Sequence, residues 1–573
     1  MKKLSIYMGI LALTTASVSA QNIIKSRTYP QNYFRQPMDI TPQASGGFGE
    51  LRGTHFHAGN DYRTQQRIGI PIYSAAEGYV SRVRVQIGGG GNSVYVDHPN
   101  GYTSVYLHMD SFNDQLSEIV KAEQYKKKSF DVDIELPRNK VVMKKGQLLG
   151  KSGNTGGSGG PHLHFEIRDT KTQNPLNSQL FGLYFEDNVA PVIRGITVYD
   201  IGNDVFDENT PRRHQGIKTI GSGTYGLAGG APIPVNGKFG LGINTIDRHS
   251  GTNFSFGVYS IELLLDDAPV STVVFEELSF ATSRALNSYI DYPYFMKTQA
   301  KIQKSFKDPN NTAPIYKQLN NLGFIELKDN NVHKVDYIVK DVHGNTSRIS
   351  FNVQQNPTFN ISRKPQTGTA VFKYGHENNY AADNVRIAVP KGVLYNDLYL
   401  NYSQGGKPRG GYSTLQRVHN DMVPLLDNYK LSIKPDATLP ASLQSKAIIV
   451  DERGRSKGGR YENGWVVTSL RDMGSYYIAV DTVAPVITAR NLTNGKNLAN
   501  QSKIDFTISD NLSGIQTFNA YIDDKWVLME YDPKNRHVWH QFEPSLSKGR
   551  HTFRLEVKDM KDNTKIYEAT FTK

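Results

Sequence analysis

Gly159-Gly160-Pro161-His162-Leu163-His164-Phe165-Glu166-Ile167 is the stretch from which the rest of the chain can be read. Side chains alternate along a strand, so Leu163 and Phe165 turn towards a core while His162 and His164 share the opposite face. Glu166 falls on that same face. An isolated His-x-His in a β protein is more often structural than not, so the pair needs partners elsewhere before it means chemistry.

Working upstream, the text between the histidines and residue 80 reads as short strands broken by glycine. Tyr102 to Met109 is one of them, entered through the hairpin signal Asn100-Gly101. Strict alternation puts Ser104, Tyr106 and His108 on one face and Val105, Leu107 and Met109 on the other. Gly88 to Gly91 is a turn between the strands holding Val83 and Val85 and those holding Val94 and Val96. One helical interruption is expected, because Leu116, Ile119 and Val120 have helical spacing. The basic run Lys126 to Lys128 behind it reads as a solvated surface.

Further upstream lies His57-Ala58-Gly59-Asn60-Asp61. His57 and Asp61, four residues apart, can converge on one side. Imidazole and carboxylate suit zinc, and a catalytic zinc keeps three protein ligands and an open position.

In that order, His57-x-Gly59-x-Asp61, Tyr106-x-His108 and His162-x-His164 resemble the signature of the LytM/lysostaphin-type zinc metallopeptidases, the peptidoglycan endopeptidases. Gly69-Ile70-Pro71-Ile72-Tyr73-Ser74-Ala75, Gly78-Tyr79-Val80, Lys144-Lys145-Gly146-Gln147 and Gly150-x-Ser152-Gly153 fit the same pattern. The resemblance covers about residues 50 to 170. It implies that His57, Asp61 and His164 hold Zn²⁺, that His162 is the general base, and that His108 steadies the oxyanion. The glycine-rich run Gly153 to Gly160 would let a small-residue peptide approach closely. Two neighbours compete: His55 makes a second His-x-His with His57, and Glu166 is either an outer partner of His164 or a rival base. The stretch from Ser111 to Val142 is longer than the pattern expects and reads as a flap beside the groove or a tolerated surface insertion.

The remainder contains an internal repeat. Asp187-Asn188-Val189-Ala190-Pro191-Val192-Ile193 returns as Asp481-Thr482-Val483-Ala484-Pro485-Val486-Ile487. Each copy continues to an Asp-x-x-Ser-Gly turn, at Asp247 and at Asp510, and closes on Val-Lys-Asp-x-x-x-Asn-Thr, at Val339 and at Val557. The first copy carries insertions around Phe275 to Gly323. The expected fold is all-β: a small antiparallel β-sheet metallopeptidase domain at 21–183, then two immunoglobulin-like β-sandwich modules flanking a further β-rich domain. The modules are expected at 187–354 and 481–573, with the unassigned β-rich domain at 355–480. Trp465 and Trp539 could stack on sugars if exposed, although such residues more often sit in cores.

The chain has 573 residues, enough for three or four cores. Lys2 and Lys3, the apolar run Leu4 to Ala16, and Val18-Ser19-Ala20 form a signal-peptide pattern over 1–20, with Gln21 as the mature start. Export to the periplasm or cell envelope is therefore expected, with no transmembrane segment after cleavage. Cysteine is absent, which excludes disulfides, a lipidated cysteine and a thiol nucleophile. The formal charge of +12 suits an anionic polymer such as a cell wall bearing carboxylates; the export signal argues against nucleic acid, and peptidoglycan as substrate is what the resemblance implies. Two other functions fit the sequence: a catalytically latent regulator of wall hydrolases, and a wall-binding or adhesion protein working through the C-terminal β modules, whose partner is unknown. Cleavage of ordinary proteins would use the same zinc chemistry.

Overall fold

The computed structural model of the chain describes residues 23–359 and 361–573. The leader expected at 1–20 lies outside the described residues. The all-β expectation holds: among the described residues α-helix is confined to three segments, the longest being Asp114–Lys127. No helix there is long and apolar enough to cross a membrane.

The first part of the chain forms β1 (Ala44–Gly46), β2 (Asn60–Arg63), β3 (Pro71–Tyr73), β4 (Gly78–Val85), β5 (Asn92–Asp97), β6 (Tyr102–Phe112), α1 (Asp114–Lys127), β7 (Val132–Glu135), β8 (Val142–Met143), β9 (Leu148–Ser152) and β10 (His162–Asp169). The main path across the sheet is β1-β2-β10-β6-β5-β4-β7. The central β10 pairs antiparallel with β2 on one side and β6 on the other. Leu163, Phe165 and Ile167 from β10 are fully buried, as alternation requires, and pack with Val80, Val94 and Tyr106. Each such side chain contributes roughly 1.5–3 kcal/mol. Residues before and after the sheet close this face: Tyr29 and Phe34 meet Phe181 edge-on at 4.9 and 5.6 Å.

The segment 111–142 is not a flap over the groove. Leu116 and Val120 of α1 are buried in the sheet's own core. Its strand β7 pairs with β4 at the edge opposite to β1. Four strand spacings separate β7 from β10, about 19 Å at the usual interstrand distance. The outer side of α1 instead meets the end of the chain. Tyr125 packs edge-on against Trp526 at 5.3 Å, and both Lys121 and Tyr125 bond to Glu543.

Beyond residue 190 the described residues form further β structure around separate cores. Val192–Asp200 and Phe239–Ile246 belong to one sheet, and Ser260–Leu265, Val332–Lys340 and Thr346–Gln355 to another; Ile196, Leu241, Leu263, Tyr337 and Ile349 fill the space between them. Val385, Ile387 and Val389 turn into a third core, and Phe506, Val538, Phe553 and Phe571 form a fourth. Trp465 and Trp539 are in neither core. Both are half-buried, Trp465 under the Arg386 guanidinium at 4.1 Å and Trp539 stacked on His537 at 4.7 Å.

The insertion in the first repeat copy has a structural task. Its helical turns around Phe280–Ala285 and Leu286–Tyr289 pack against the loop that precedes β2. Phe56 is held between Phe275 and Tyr289, with ring centroids 5.7 and 5.9 Å away. The Lys301 ammonium donates to the Leu51 carbonyl. His57 follows directly on Phe56, so its position depends on residues more than two hundred places later.

Candidate metal centre

His57, Asp61 and His164 come together on the face of the sheet opposite to the core. In the β2–β10 ladder His164 stands directly across from Asp61, which puts both side chains on one side. His57 arrives from the loop that bridges Leu51 to Phe56. All three are buried. Asp61 Oδ1 lies 2.9 Å from His164 Nδ1 and 3.1 Å from His57 Nε2, and the two nitrogens are 3.0 Å apart.

The outer atoms of the triad decide what the inner ones offer. His57 Nδ1 donates to the Gly47 carbonyl at 2.8 Å, and His164 Nε2 donates to Glu166 at 2.9 Å. These bonds leave lone pairs on His57 Nε2 and His164 Nδ1, both aimed at a carboxylate oxygen. Three acceptors in mutual contact near 3 Å repel one another unless they share a cation. Mutual separations of that size match three vertices of a tetrahedron with zinc-like bond lengths of about 2.0–2.1 Å. The residues present therefore fit a metal ion.

Burial opposes charge on His164, but Asp61 and Glu166 outweigh it and lift its pKa to about 9. Burial also works against the charge on Asp61, yet His57, His162 and His164 hold its carboxyl well below the ordinary value. Glu166 is lowered to about 2 against its burial, chiefly by Arg168 and then His164.

Two more histidines reach the same place. His162 Nδ1 donates to the Gly160 carbonyl at 2.8 Å, and its Nε2 lies 3.5 Å from Asp61 Oδ1. His108 Nδ1 donates to the Thr155 carbonyl at 2.9 Å, and its ring sits 4.8 Å from that of His162. Each therefore turns an unprotonated Nε2 away from its carbonyl anchor. Burial, with His164 and His162 nearby, pushes the pKa of His108 down to about 3, so this ring is neutral at physiological pH.

Strict alternation misplaces His108. Tyr106 faces the core opposite Phe165, and His108 should follow it there. Instead β6 carries a bulge: the ladder with β5 passes from Val94·Tyr106 to Asn92·Met109, three residues against two. His108 takes a left-handed φ of 63° at this point, at about 1–3 kcal/mol of strain. The bulge returns Met109 to the core and leaves His108 on the side of Leu107, which stands across from His164.

Glu166 and His55 resolve differently. Glu166 is buried, bonded to His164 on one side and to Arg168 Nε at 2.5 Å on the other, which makes it the outer partner of His164. His55 is exposed and stands outside the triad. Arg52 is the partner that sequence reading missed: its Nη2 bonds Asp61 Oδ2 at 2.8 Å. Nothing in the spacing of Arg52 and Asp61 announces this, because the Leu51–Phe56 turn brings them together.

Glycine acts in two ways here. A Cβ on Gly59 would lie 2.5 Å from the Phe165 carbonyl and 2.7 Å from His164 Nε2, so only glycine lets this loop close onto β10. Gly156, with φ at +66°, similarly packs its backbone against Gly91. Gly159 and Gly160 face open space. The glycine run is thus part packing device and part open rim.

Residues 55–125 and 134–177 match the model of Peptidase family M23. The chain carries a peptidase M23 domain. The break in the match falls inside the 111–142 insertion. Over 127 residues the chain is 35% identical to an uncharacterized metalloprotease of Haemophilus influenzae, covering 22% of each chain. A peptidoglycan DD-endopeptidase, ShyC, of Vibrio cholerae is 29% identical over 28% of this chain and 32% of its own. A solved zinc-containing peptidase from Vibrio cholerae is 28% identical over 26% of this chain and 39% of that one, with a TM-score of 0.19. The chain spans about a fifth to a third of the length of these curated relatives. Residues 369–481 match a Zu5-like domain, which supplies a family for the β-rich segment that sequence reading left unassigned.

Proposed function

We propose that this chain is an exported, zinc-dependent endopeptidase that hydrolyses peptide bonds in the stem peptides or cross-links of bacterial peptidoglycan. One observation carries the reading: His57, Asp61 and His164 turn three acceptor atoms onto one point, while His108 and His162 open their Nε2 atoms beside it. Held by His57, Asp61 and His164, zinc would supply Lewis acidity towards the scissile carbonyl and water.

The chain's own residues do the rest. The Gly160 carbonyl keeps the proton of His162 on Nδ1, so Nε2 is free to take a proton from the attacking water and pass it to the leaving amine. His108, neutral and anchored on Thr155, stands beside it to steady the developing oxyanion or orient the water. Arg52 and Glu166 hold Asp61 and His164 from behind. Gly159 and Gly160 leave the rim open to a peptide backbone.

Peptidoglycan as substrate is supported by the names of the relatives and by the formal charge of +12. The leader pattern at 1–20 supports export, and with it a periplasmic or envelope location.

The test is digestion of purified sacculi by the zinc-loaded mature chain, with His164→Ala and chelator-treated enzyme as controls. Zinc-dependent release of muropeptides, lost in His164→Ala, is the expected result, and their masses name the bond. A folded, zinc-loaded chain that releases nothing from sacculi refutes the substrate.

A further inference from the structure

The three landmarks of the internal repeat, far apart in sequence, meet at one end of each module. In the first copy they bring together Asp187 from the connection after the peptidase domain, Asp247 after the strand Phe239–Ile246, and Asp341 after the strand Val332–Lys340. Ligand atoms of Asp187, Asp247 and His249 lie within 4.8 Å of one another. Asp247 is 2% exposed, yet its Oδ1 has no hydrogen-bond partner; Asp187 Oδ2 and His249 Nδ1 have none either. A buried carboxylate oxygen left bare beside two other carboxylates is costly, and a cation is what would offset it.

We propose that Asp187, Asp247 and Asp341 hold a divalent cation of the calcium class, with His249 at the rim, at the junction between the peptidase domain and the first β module.

Further observations bear on this. The basic side chain beside the buried carboxylate is the His249 imidazole, its Nε2 3.8 Å from Asp247 Oδ2.

The second module repeats the three aspartates, with Lys561 in the place of His343 facing Asp481 and Asp559. Asp481, Asp510 and Asp559 bring oxygens within 4.8 Å, with Asp510 Oδ1 bare. The supporting bonds also recur. Asn345 spans Asp341 and the Asp187 carbonyl; Asn563 spans Asp559 and the Asp481 carbonyl. Leucine, Leu512, replaces His249 in this copy. The second set is all oxygen, and in the first Asp341 faces Asp187 and Asp247 in the position of Asp559; what the copies share is three aspartates, whose hard oxygens suit Ca²⁺ over softer ions.

The ion would clasp the connection to the module. Phe185, from the peptidase core, stacks on His249 at 5.9 Å, and Tyr184 meets His343 at 5.1 Å. A cation on Asp187 would hold these contacts and the orientation of the peptidase domain with them.

The experiment is equilibrium dialysis of the full chain, already carrying zinc, against CaCl₂, with MgCl₂ and MnCl₂ in parallel arms. Calcium should bind with half-saturation at about 0.1–1 mM, the range of weak calcium modules outside the cytosol. Asp247→Asn should bind one calcium fewer per chain than the parent. Asp187→Asn, in the half-exposed connection, should do the same and guards against misfolding of the buried variant. The site is overturned if the parent binds no calcium at 10 mM, or if both variants, folded by circular dichroism, keep the full stoichiometry. Binding of manganese without calcium overturns the choice of ion.

Discussion

Glu166→Gln breaks the anchor behind His164 while leaving its shape intact. Glu166 is 2% exposed and accepts from two donors, His164 Nε2 at 2.9 Å and Arg168 Nε at 2.5 Å. Glutamine has one acceptor oxygen, so its amide nitrogen must face one of those donors. If the oxygen stays with Arg168, His164 loses its acceptor and its proton shifts towards Nδ1, the atom that faces Asp61 and the metal. Loss of such an outer partner weakens metal binding by roughly 10- to 100-fold. Breaking a buried charge pair costs about 3–5 kcal/mol. The low end applies here, because the Arg168 guanidinium also lies over the Tyr95 and Phe280 rings at 5.4 and 4.5 Å. The assay is zinc affinity by chelator competition, with kcat measured separately at saturating zinc. Expected are a 10- to 100-fold weaker Kd and a kcat that zinc restores to within several-fold. An unchanged Kd with kcat down by 100-fold or more would refute the anchoring role and make Glu166 the base.

Gly59→Ala should lower stability by about 1–3 kcal/mol, since the new Cβ meets a backbone carbonyl that cannot move aside; a thermal melt of the mature chain that matches the parent within about a degree would contradict this. Zinc affinity should depend on pH with a definite sign. His164, lifted to about 9, is protonated in the metal-free centre at pH 7 and must lose that proton when zinc binds. Affinity should climb about tenfold per pH unit between roughly 7 and 9 and flatten above, with one proton released at pH 7. Calorimetry in buffers of different ionisation enthalpy reads the proton count, and a slope of opposite sign defeats the argument. His162→Ala should keep zinc and lose 10²- to 10⁴-fold in kcat; full activity at equal zinc content would remove His162 from the base role.

Patterns that depend on neighbours were open to the sequence alone. Alternation along His162 to Ile167 separated the buried Leu163 and Phe165 from the histidines, because a strand's pleat is a local property. The hairpin at Asn100-Gly101 was readable for the same reason, Gly101 taking the positive φ of +85° that the turn needs. The motif order was enough to nominate His57, Asp61, His108, His162 and His164, and the repeat exposed two related modules.

Tertiary structure decided what hinges on distant partners. His108 reaches the metal face only through a bulge whose left-handed residue is held by Gly90 and Thr155, from loops on either side of its strand in sequence. Arg52 meets Asp61 only after a turn closes, and His57 is placed by an aromatic clamp from the 275–323 insertion. The 111–142 segment, an apparent flap in the sequence, became a far edge of the sheet because its apolar residues found the core. Local periodicity assigns faces to side chains; which face meets which partner is settled by long-range burial and by buried polar groups finding their donors and acceptors, and no short window of sequence contains that information.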